Sequence, residues 1–182
     1  MSGNRSHLKP PVGPDDHIEG AADAAVTLVE YGDYQCPYCG EAYPIVKRVQ
    51  KQLGARLRFV FRNFPLAEAH PFATGAAQMA EAAALQGKFW EMHDMLYEHQ
   101  DALEPAHLLD YAKHLHLDMA KLETAVESAA VTGRVRSDFT SGVRSGVNGT
   151  PSFFINGERF DGNWTDANEF VAALEAAAKG ST

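Results

Sequence analysis

The first third of the chain alternates between short apolar runs and one longer amphipathic segment. Residues 25–31 form a β-rich, nearly continuous apolar run, which is typical of a strand buried on both faces. From Pro37, apolar residues recur at helical spacing until Gly54, a residue type that commonly ends helices. Residues 56–64 then alternate apolar with mostly polar side chains, which indicates a second strand. The pattern predicts a βαβ unit, and we expect its strands to be parallel.

The rest of the chain first becomes helical and then returns to strands. Ala-rich and amphipathic stretches fill residues 69–146, where we expect four or five helices and no strand. Asn156 and Gly157 then stand between two β-type runs, the strongest short hairpin signal. Asp166, with Glu169 three residues later, is typical of a capping box that begins a last helix.

These elements give a β-α-β, helical insert, β-β-α order and a predicted domain organisation. Residues 1–16 are polar and rich in Pro and Gly, so we expect a flexible leader. Residues 17–64 and 147–182 are expected to form one α/β domain, and residues 65–146 an all-helical insertion between its halves.

Composition narrows the class of partner. The net charge of −8 and the isoelectric point near 5.4 argue against nucleic acid or an anionic membrane as the main partner. No run approaches the roughly 18 apolar residues that span a bilayer. The N-terminus also lacks the apolar segment of a secretory signal, so we expect a cytoplasmic protein. A chain from which an export signal had been removed would look the same.

Cys36 and Cys39 are the only cysteines, and they lie two residues apart in the stretch DYQCPYCG. They could be small buried apolar residues, half of a metal site, or a redox pair. Zinc needs four ligands, and the closest histidines, His114 and His116, are spaced to point to different faces of a helix. We therefore predict no metal site.

The position of the pair favours redox chemistry. Cys36 stands at a strand-to-helix junction, where free amides and the helix dipole stabilise a thiolate. Pro37 suits the first helical turn, and Cys39 lies one turn further on, where a second thiol can resolve a mixed disulfide. A distant signal, Thr150-Pro151 directly before a strand, is compatible with an ordinary trans turn or with a cis bond.

Taken together, VTLVEYGDYQCPYCG, the helical insert and TPSFFING resemble the DsbA-like disulfide oxidoreductases of the thioredoxin superfamily. The resemblance covers about residues 17–179 and implies a thioredoxin fold that carries a helical insertion. It implies that Cys36 is the nucleophile, that Cys39 is the resolving thiol, and that Pro37 and Tyr38 tune the redox poise.

The resemblance also assigns a role to the Thr150-Pro151 pair. It implies a cis proline in a loop that faces the active cysteines, where an extended substrate segment could add as a strand. The dipeptide Pro37-Tyr38 and the threonine before the proline both differ from strongly oxidising periplasmic members of the family. Both differences suggest a less oxidising poise.

Glu30 is a further candidate site residue. It ends an apolar strand six residues before Cys36, so partial burial would raise its pKa and suit proton exchange with Cys39. The alternative is an ordinary ion pair with Arg58 or Arg62.

The sequence therefore predicts an enzyme, a thiol–disulfide oxidoreductase that acts on protein dithiols and disulfides. It needs no cofactor beyond its cysteines, although glutathione or another thiol is a candidate electron partner, and its redox partner is unidentified. Two alternatives remain: a glutathione-dependent isomerase or transferase related to DsbA, and a CxxC module that binds without catalysis.

Overall fold

The computed structural model describes residues 6–180. They divide into two compact units, each made of separate stretches of chain. The first unit contains the residues up to Gly32, Glu41–Arg62 and the residues from Ser141 on. The second contains Asp33–Gly40 and Asn63–Thr140, so the cysteine segment belongs to the same unit as the helical block. The domain boundaries expected from the sequence stay a prediction.

A five-stranded mixed sheet, in the order β1-β3-β2-β4-β5, forms the centre of the first unit. Strands β2 and β3, which the sequence predicts on either side of the first helix, α1 (Pro37–Leu53), are neighbours in this sheet. The other neighbouring pairs, β1–β3, β2–β4 and β4–β5, are antiparallel. The strands are His17–Gly20 (β1), Val26–Gly32 (β2), Leu57–Asn63 (β3), Ser152–Ile155 (β4) and Glu158–Phe160 (β5).

The core of the first unit lies between the middle strands and the last helix, α7 (Ala167–Lys179). Leu28 on β2 and Phe154 on β4 have no exposed surface. The ring of Phe153 lies 4.9 Å from that of Phe170 on α7. Each apolar side chain buried in this way stabilises the fold by about 1.5–3 kcal/mol. Strand β1 was not predicted, because its four residues, HIEG, lack a strand's apolar alternation.

Residues 6–16, which belong to the segment that the sequence predicts to be a flexible leader, make specific contacts in the structure. The N–H of Leu8 donates to the carbonyl of Gly157 at 2.8 Å, and its side chain is buried. Asp16 forms an ion pair with Arg62 at 2.8 Å. The polar composition of this segment did not predict the contacts of Leu8 and Asp16, because one buried leucine and one buried ion pair hardly change a composition average. Residues 1–5 lie outside the described residues.

Seven α-helices lie within the described residues, and five of them, α2–α6, follow β3 as the sequence predicted. Helix α2 packs closely because alanines such as Ala76, Ala77 and Ala80 form its buried face. Between residues 6 and 180, no helix has both the length and the apolar character needed to cross a membrane. The remaining helices are α1 (Pro37–Leu53), α2 (Ala73–Ala84), α3 (Phe89–Glu98), α4 (Pro105–His114), α5 (Met119–Val126) and α6 (Ala129–Arg144).

Two local predictions in the last third of the chain are confirmed. Asn156 and Gly157 have φ angles of 49° and 83°, as a two-residue hairpin turn between β4 and β5 requires. Asp166 caps α7 by accepting hydrogen bonds from the amides of Asn168 and Glu169. The carboxylate of Glu169 accepts the N–H of Asn163 at 3.0 Å.

Candidate redox site

The two cysteines occupy the start of α1. The helix begins at Pro37, so Cys36 is the residue directly before the first turn, as the sequence predicted. Neither cysteine forms a disulfide bond in the structure. Cys36 keeps 4% of its surface exposed and Cys39 keeps none, whereas Tyr38 between them is 63% exposed. A reagent in solution therefore meets Tyr38 and Cys36 before it meets Cys39.

Asp33, in the turn between β2 and α1, connects the two cysteines. Its Oδ1 accepts the N–H of Gln35 at 2.8 Å and the N–H of Cys36 at 3.2 Å. Its own N–H points at the Sγ of Cys39, 3.5 Å away. The residue is 1% exposed, so these contacts lie out of bulk water. Asp33 thus fixes the backbone at one cysteine and donates toward the sulfur of the other.

The second oxygen of Asp33 faces the segment that precedes α2. Oδ2 accepts the N–H of Leu66 at 2.9 Å and lies 2.8 Å from Nδ1 of His70. Because a carboxylate can only accept, Nδ1 of His70 carries the hydrogen in this contact. The N–H of Phe72 in turn donates to the side-chain oxygen of Gln35 at 2.7 Å. The cysteine turn and the residue 66–72 segment are therefore joined by hydrogen bonds.

Gln100, just after α3, holds the cysteine turn from a different part of the helical unit. Its Nε2 donates to the carbonyl of Tyr34 at 2.9 Å and to that of Cys36 at 2.8 Å. Its side chain also covers Gly40, where an added Cβ would overlap Oε1 and lie 2.7 Å from Cδ of Gln100. A side chain at position 40 would therefore have to displace that of Gln100.

Aromatic contacts complete the surroundings of the turn. The hydroxyl of Tyr34 lies 3.0 Å from Nδ1 of His93 on α3, and both side chains are buried. The ring of Tyr34 also lies 4.9 Å from that of Tyr97. The backbone next to Cys36 is thus packed against α3 as well as hydrogen-bonded to Gln100.

The other predicted site residues belong to the first unit. Glu30 is 2% exposed on β2, opposite Phe153 of β4. The peptide bond between Thr150 and Pro151 is cis, and Pro151 directly precedes β4. Antiparallel pairing of β2 with β4 places Tyr31, the residue after Glu30, opposite Ser152, the residue after Pro151.

The arginines proposed as alternative partners of Glu30 have other contacts. Arg58 donates to Oγ1 of Thr27 at 3.0 Å, and Arg62 donates to Asp16 and to the hydroxyl of Tyr31. The role of Glu30 in proton exchange stays a prediction.

Sequence reasoning missed Asp33, His70 and Gln100. A signal for Asp33 was present, because an aspartate in a turn commonly accepts the backbone N–H two residues further on. His70 and Gln100 lie 34 and 64 residues after Cys36, and they reach the turn only through the packing of the helical unit. Within residues 6–180, no three or more His, Cys, Asp or Glu side chains are grouped to hold a metal ion.

Comparison with known proteins identifies the family of this site. The family model for thioredoxin matches residues 13–176, which is most of the chain. The chain belongs to the thioredoxin family. The match includes both the CxxC turn and the Thr150-Pro151 segment.

Solved thioredoxin-fold structures resemble the chain over nearly its whole length. A thioredoxin-like oxidoreductase from Silicibacter pomeroyi is 28% identical, with a TM-score of 0.81, over 92% of this chain and 94% of that one. Oxidised BdbD from Bacillus subtilis is 26% identical, with a TM-score of 0.83, over 97% of this chain and all of that one. Wolbachia pipientis alpha-DsbA1, at 16% identity and a TM-score of 0.79, shares the fold. The predicted thioredoxin fold of the DsbA-like type is confirmed.

Curated relatives of this thioredoxin-family chain carry a different name. The Na⁺/H⁺ antiporter NhaA 3 of Salinispora tropica is 46% identical over 171 residues, which are 93% of this chain and 25% of the antiporter. The antiporter NhaA of Herminiimonas arsenicoxydans is 43% identical over 175 residues and 28% of its length. The chain thus spans about a quarter of the length of the curated relatives it matches.

Proposed function

We propose that this protein is a thiol–disulfide oxidoreductase that exchanges electrons with protein dithiols and disulfides through Cys36 and Cys39. The observation that carries the proposal is the pair of thiols at the start of α1, of which Cys36 keeps a small exposed fraction and Cys39 keeps none. Membership of the thioredoxin family and likeness to solved oxidoreductases support it.

The reaction proceeds in two exchange steps. The thiolate of Cys36 attacks one sulfur of a substrate disulfide, which forms a mixed disulfide and releases the other substrate sulfur as a thiolate. Cys39 then loses its proton and attacks Cys36, which closes the Cys36–Cys39 disulfide and releases the second substrate thiolate. Two electrons pass to the substrate, and the released thiolates take up two protons. The reverse sequence oxidises a substrate dithiol, and a second thiol or disulfide compound regenerates the pair.

The remaining predicted residues act around these steps. Tyr38, the exposed side chain between the cysteines, contacts the incoming substrate, and Pro37 fixes the first turn of α1. Thr150 and Pro151 bind an extended substrate segment through their backbone. Glu30, buried on β2, exchanges a proton with Cys39 during the second step.

Two single-cysteine variants test the proposal. Cys36→Ser removes the attacking sulfur, so reduction of insulin disulfides and oxidation of reduced dithiol peptides should both fall to the uncatalysed rate. Cys39→Ser keeps the attack but prevents resolution, so it should accumulate mixed disulfides that a reducing gel releases. Undiminished turnover in Cys36→Ser would contradict the proposal.

The same variants separate the two alternatives. A glutathione-dependent isomerase or transferase would bind glutathione and would retain turnover in Cys39→Ser, since it needs one thiol only. A CxxC module that binds without catalysis would show no turnover in the unsubstituted protein. The cytoplasmic location expected from the sequence stays a prediction.

A second proposal concerns the partner, and it rests on the curated relatives. Antiporters 43–46% identical to this chain contain a matching region that is about a quarter of their length. We infer that this chain works beside a Na⁺/H⁺ antiporter, as a covalent neighbour or as a separate partner, and exchanges disulfides with its cysteines. Cys39→Ser should form a mixed disulfide with such an antiporter in vesicles, whereas Cys36→Ser should not. Absence of the adduct in the first variant would overturn the inference.

A further inference from the structure

The buried carboxylate of Asp33 poses an electrostatic problem for the reaction. An anion next to a thiol opposes formation of the thiolate, which is the reactive form. Asp33 bonds the amide of Cys36 at 3.2 Å, and its own amide lies 3.5 Å from Sγ of Cys39. Because Asp33 is only 1% exposed, water screens the charge of its carboxylate little. The turn therefore needs a group that compensates Asp33.

His70 is the side chain placed to do so. Its Nδ1–H donates to Oδ2 of Asp33 at 2.8 Å, and its side chain is 20% exposed. The other contacts of the two carboxylate oxygens are backbone amides, from Gln35, Cys36 and Leu66. Elsewhere around the turn, the hydroxyl of Tyr34 and Nδ1 of His93 are hydrogen-bonded to each other.

We propose that Asp33 and His70 form a positioning pair for the two thiols, in which Asp33 holds the cysteine backbone and His70 withdraws the negative charge of Asp33 from the sulfurs. The proposal rests on the proposed function, since it assigns these residues a part in thiol–disulfide exchange. Neither residue touches the substrate, and both act through Cys36 and Cys39.

The pair makes a directional prediction. Loss of His70 leaves the carboxylate uncompensated, which disfavours the thiolates, whereas loss of the carboxylate charge favours them. His70→Ala should therefore raise the pKa of Cys36 by about one unit, and Asp33→Asn should lower it by a similar amount. His70→Gln, which can still donate a hydrogen bond, should lie between His70→Ala and the unsubstituted protein. The double variant Asp33→Asn/His70→Ala should return toward the original value.

The experiment measures the rate at which each cysteine is alkylated as a function of pH, with mass spectrometry to assign the modified residue. The ratio of reduced to oxidised glutathione at half-oxidation is a second readout, and it should move in opposite directions for the two single variants. Thermal unfolding of each variant identifies any that fail to fold. If Asp33→Asn does not fold, the proposal is tested by the pKa of Cys36 in the other three proteins. This pKa should be highest in His70→Ala, intermediate in His70→Gln and lowest in the unsubstituted protein.

A surface pair provides the matched control. His107 lies 2.8 Å from Glu104 on an exposed face, so His107→Ala removes the same kind of contact away from any thiol. The proposal would be overturned if Asp33→Asn and His70→Ala shifted the thiol pKa in the same direction. It would also be overturned if these shifts were no larger than that of the control variant. Failure of the proposed function is distinguishable, because the unsubstituted protein would then catalyse no exchange, whatever its thiol pKa values.

Discussion

Two acid–base pairs, one in each unit, show how the same kind of contact can have different roles. In the first unit, Arg62 donates to both oxygens of Asp16 at 2.8 and 2.9 Å. In the second, His70 donates to Asp33 at 2.8 Å. The partners of Arg62 are unreactive: the hydroxyl of Tyr31 and two proline carbonyls. Those of Asp33 include the amide of Cys36.

The comparison teaches that chemistry follows from what surrounds a pair rather than from its burial. Burial opposes the charge of Arg62, but Asp16 and Tyr31 outweigh it and raise the pKa of the guanidinium. Arg62 is therefore a permanent cation that ties the N-terminal segment to β3. A histidine pair beside two thiols can instead influence the charge of a reacting sulfur.

The largest expected effect comes from breaking the structural pair. Arg62→Met leaves Asp16 buried without its cation, so we expect the free energy of unfolding to fall by about 3–5 kcal/mol. The pKa of Cys36 should not change in the fraction that stays folded. Urea unfolding gives the first quantity and alkylation rates give the second. A thiol pKa shift comparable to that of His70→Ala would remove the distinction between the two pairs.

A second effect concerns the hydrogen bonds from Gln100 to the turn. Gly40→Ala should displace Gln100, because its new Cβ would overlap Oε1, and should cost about 1–3 kcal/mol in stability. Gln100→Ala should relieve most of that cost when combined with it. Denaturant unfolding of the single and double variants measures the coupling.

A helical glycine in open space supplies the control for this overlap. Gly133 on α6 has nothing within 4 Å of an added Cβ. Gly133→Ala should therefore stabilise the chain, by up to about 1 kcal/mol. Simple additivity of Gly40→Ala and Gln100→Ala would show that the overlap is not the source of the cost.

A smaller, pH-dependent effect is expected at Asp138 in the helical unit. Burial raises the pKa of its carboxyl group, against the opposing charge of Arg134 and hydrogen bonds from Asn63. The pKa of the Asp138 carboxyl group is therefore higher in the folded protein than in the unfolded chain. Folding is favoured most while this group is protonated and least when it is ionised. Its contribution is therefore lost as the pH rises from the ordinary range of a carboxyl group through the folded pKa.

Asp138→Asn removes that dependence. The stability of the unsubstituted protein relative to the variant should fall with rising pH, by no more than about 1.4 kcal/mol per pH unit. Unfolding curves at several pH values give the slope. A relative stability that rises with pH would show that Arg134 and Asn63 outweigh burial.

The smallest expected effect comes from breaking the exposed Glu104–His107 pair at the start of α4. Hydrogen bonds, first from the Glu104 backbone and then from His107, lower the pKa of Glu104. Both side chains face solvent, so Glu104→Gln should leave the melting temperature unchanged within experimental error. A clear loss of stability would indicate that exposure is a poor guide to the value of such pairs in this protein.

Short sequence patterns predicted most of the fold and the position of the two cysteines at the start of α1. Strands β2 and β3, the start of α1, the Asn156-Gly157 turn and the Asp166 cap all follow from patterns a few residues long. Strand β1 could not be predicted, because it is short and polar and is held by pairing with β3.

The environment of the thiols depends on tertiary structure. His70 and Gln100 contact the turn through the tertiary packing of the helical unit, and no sequence spacing encodes that contact. The anchoring of residues 6–16 by Leu8 and Asp16 is of the same kind. A sequence pattern reports which residues repeat along an element, whereas these contacts join residues dozens of positions apart.

Equilibration in glutathione buffers tests directly whether Cys36 and Cys39 form a redox-active pair. The protein is equilibrated at a series of ratios of reduced to oxidised glutathione, quenched with acid and alkylated. Mass spectrometry then gives the fraction of the protein that is oxidised at each ratio. We expect a single two-electron transition to a Cys36–Cys39 disulfide, with a midpoint between about −270 and −120 mV. A folded protein that forms no such disulfide at any ratio would contradict it.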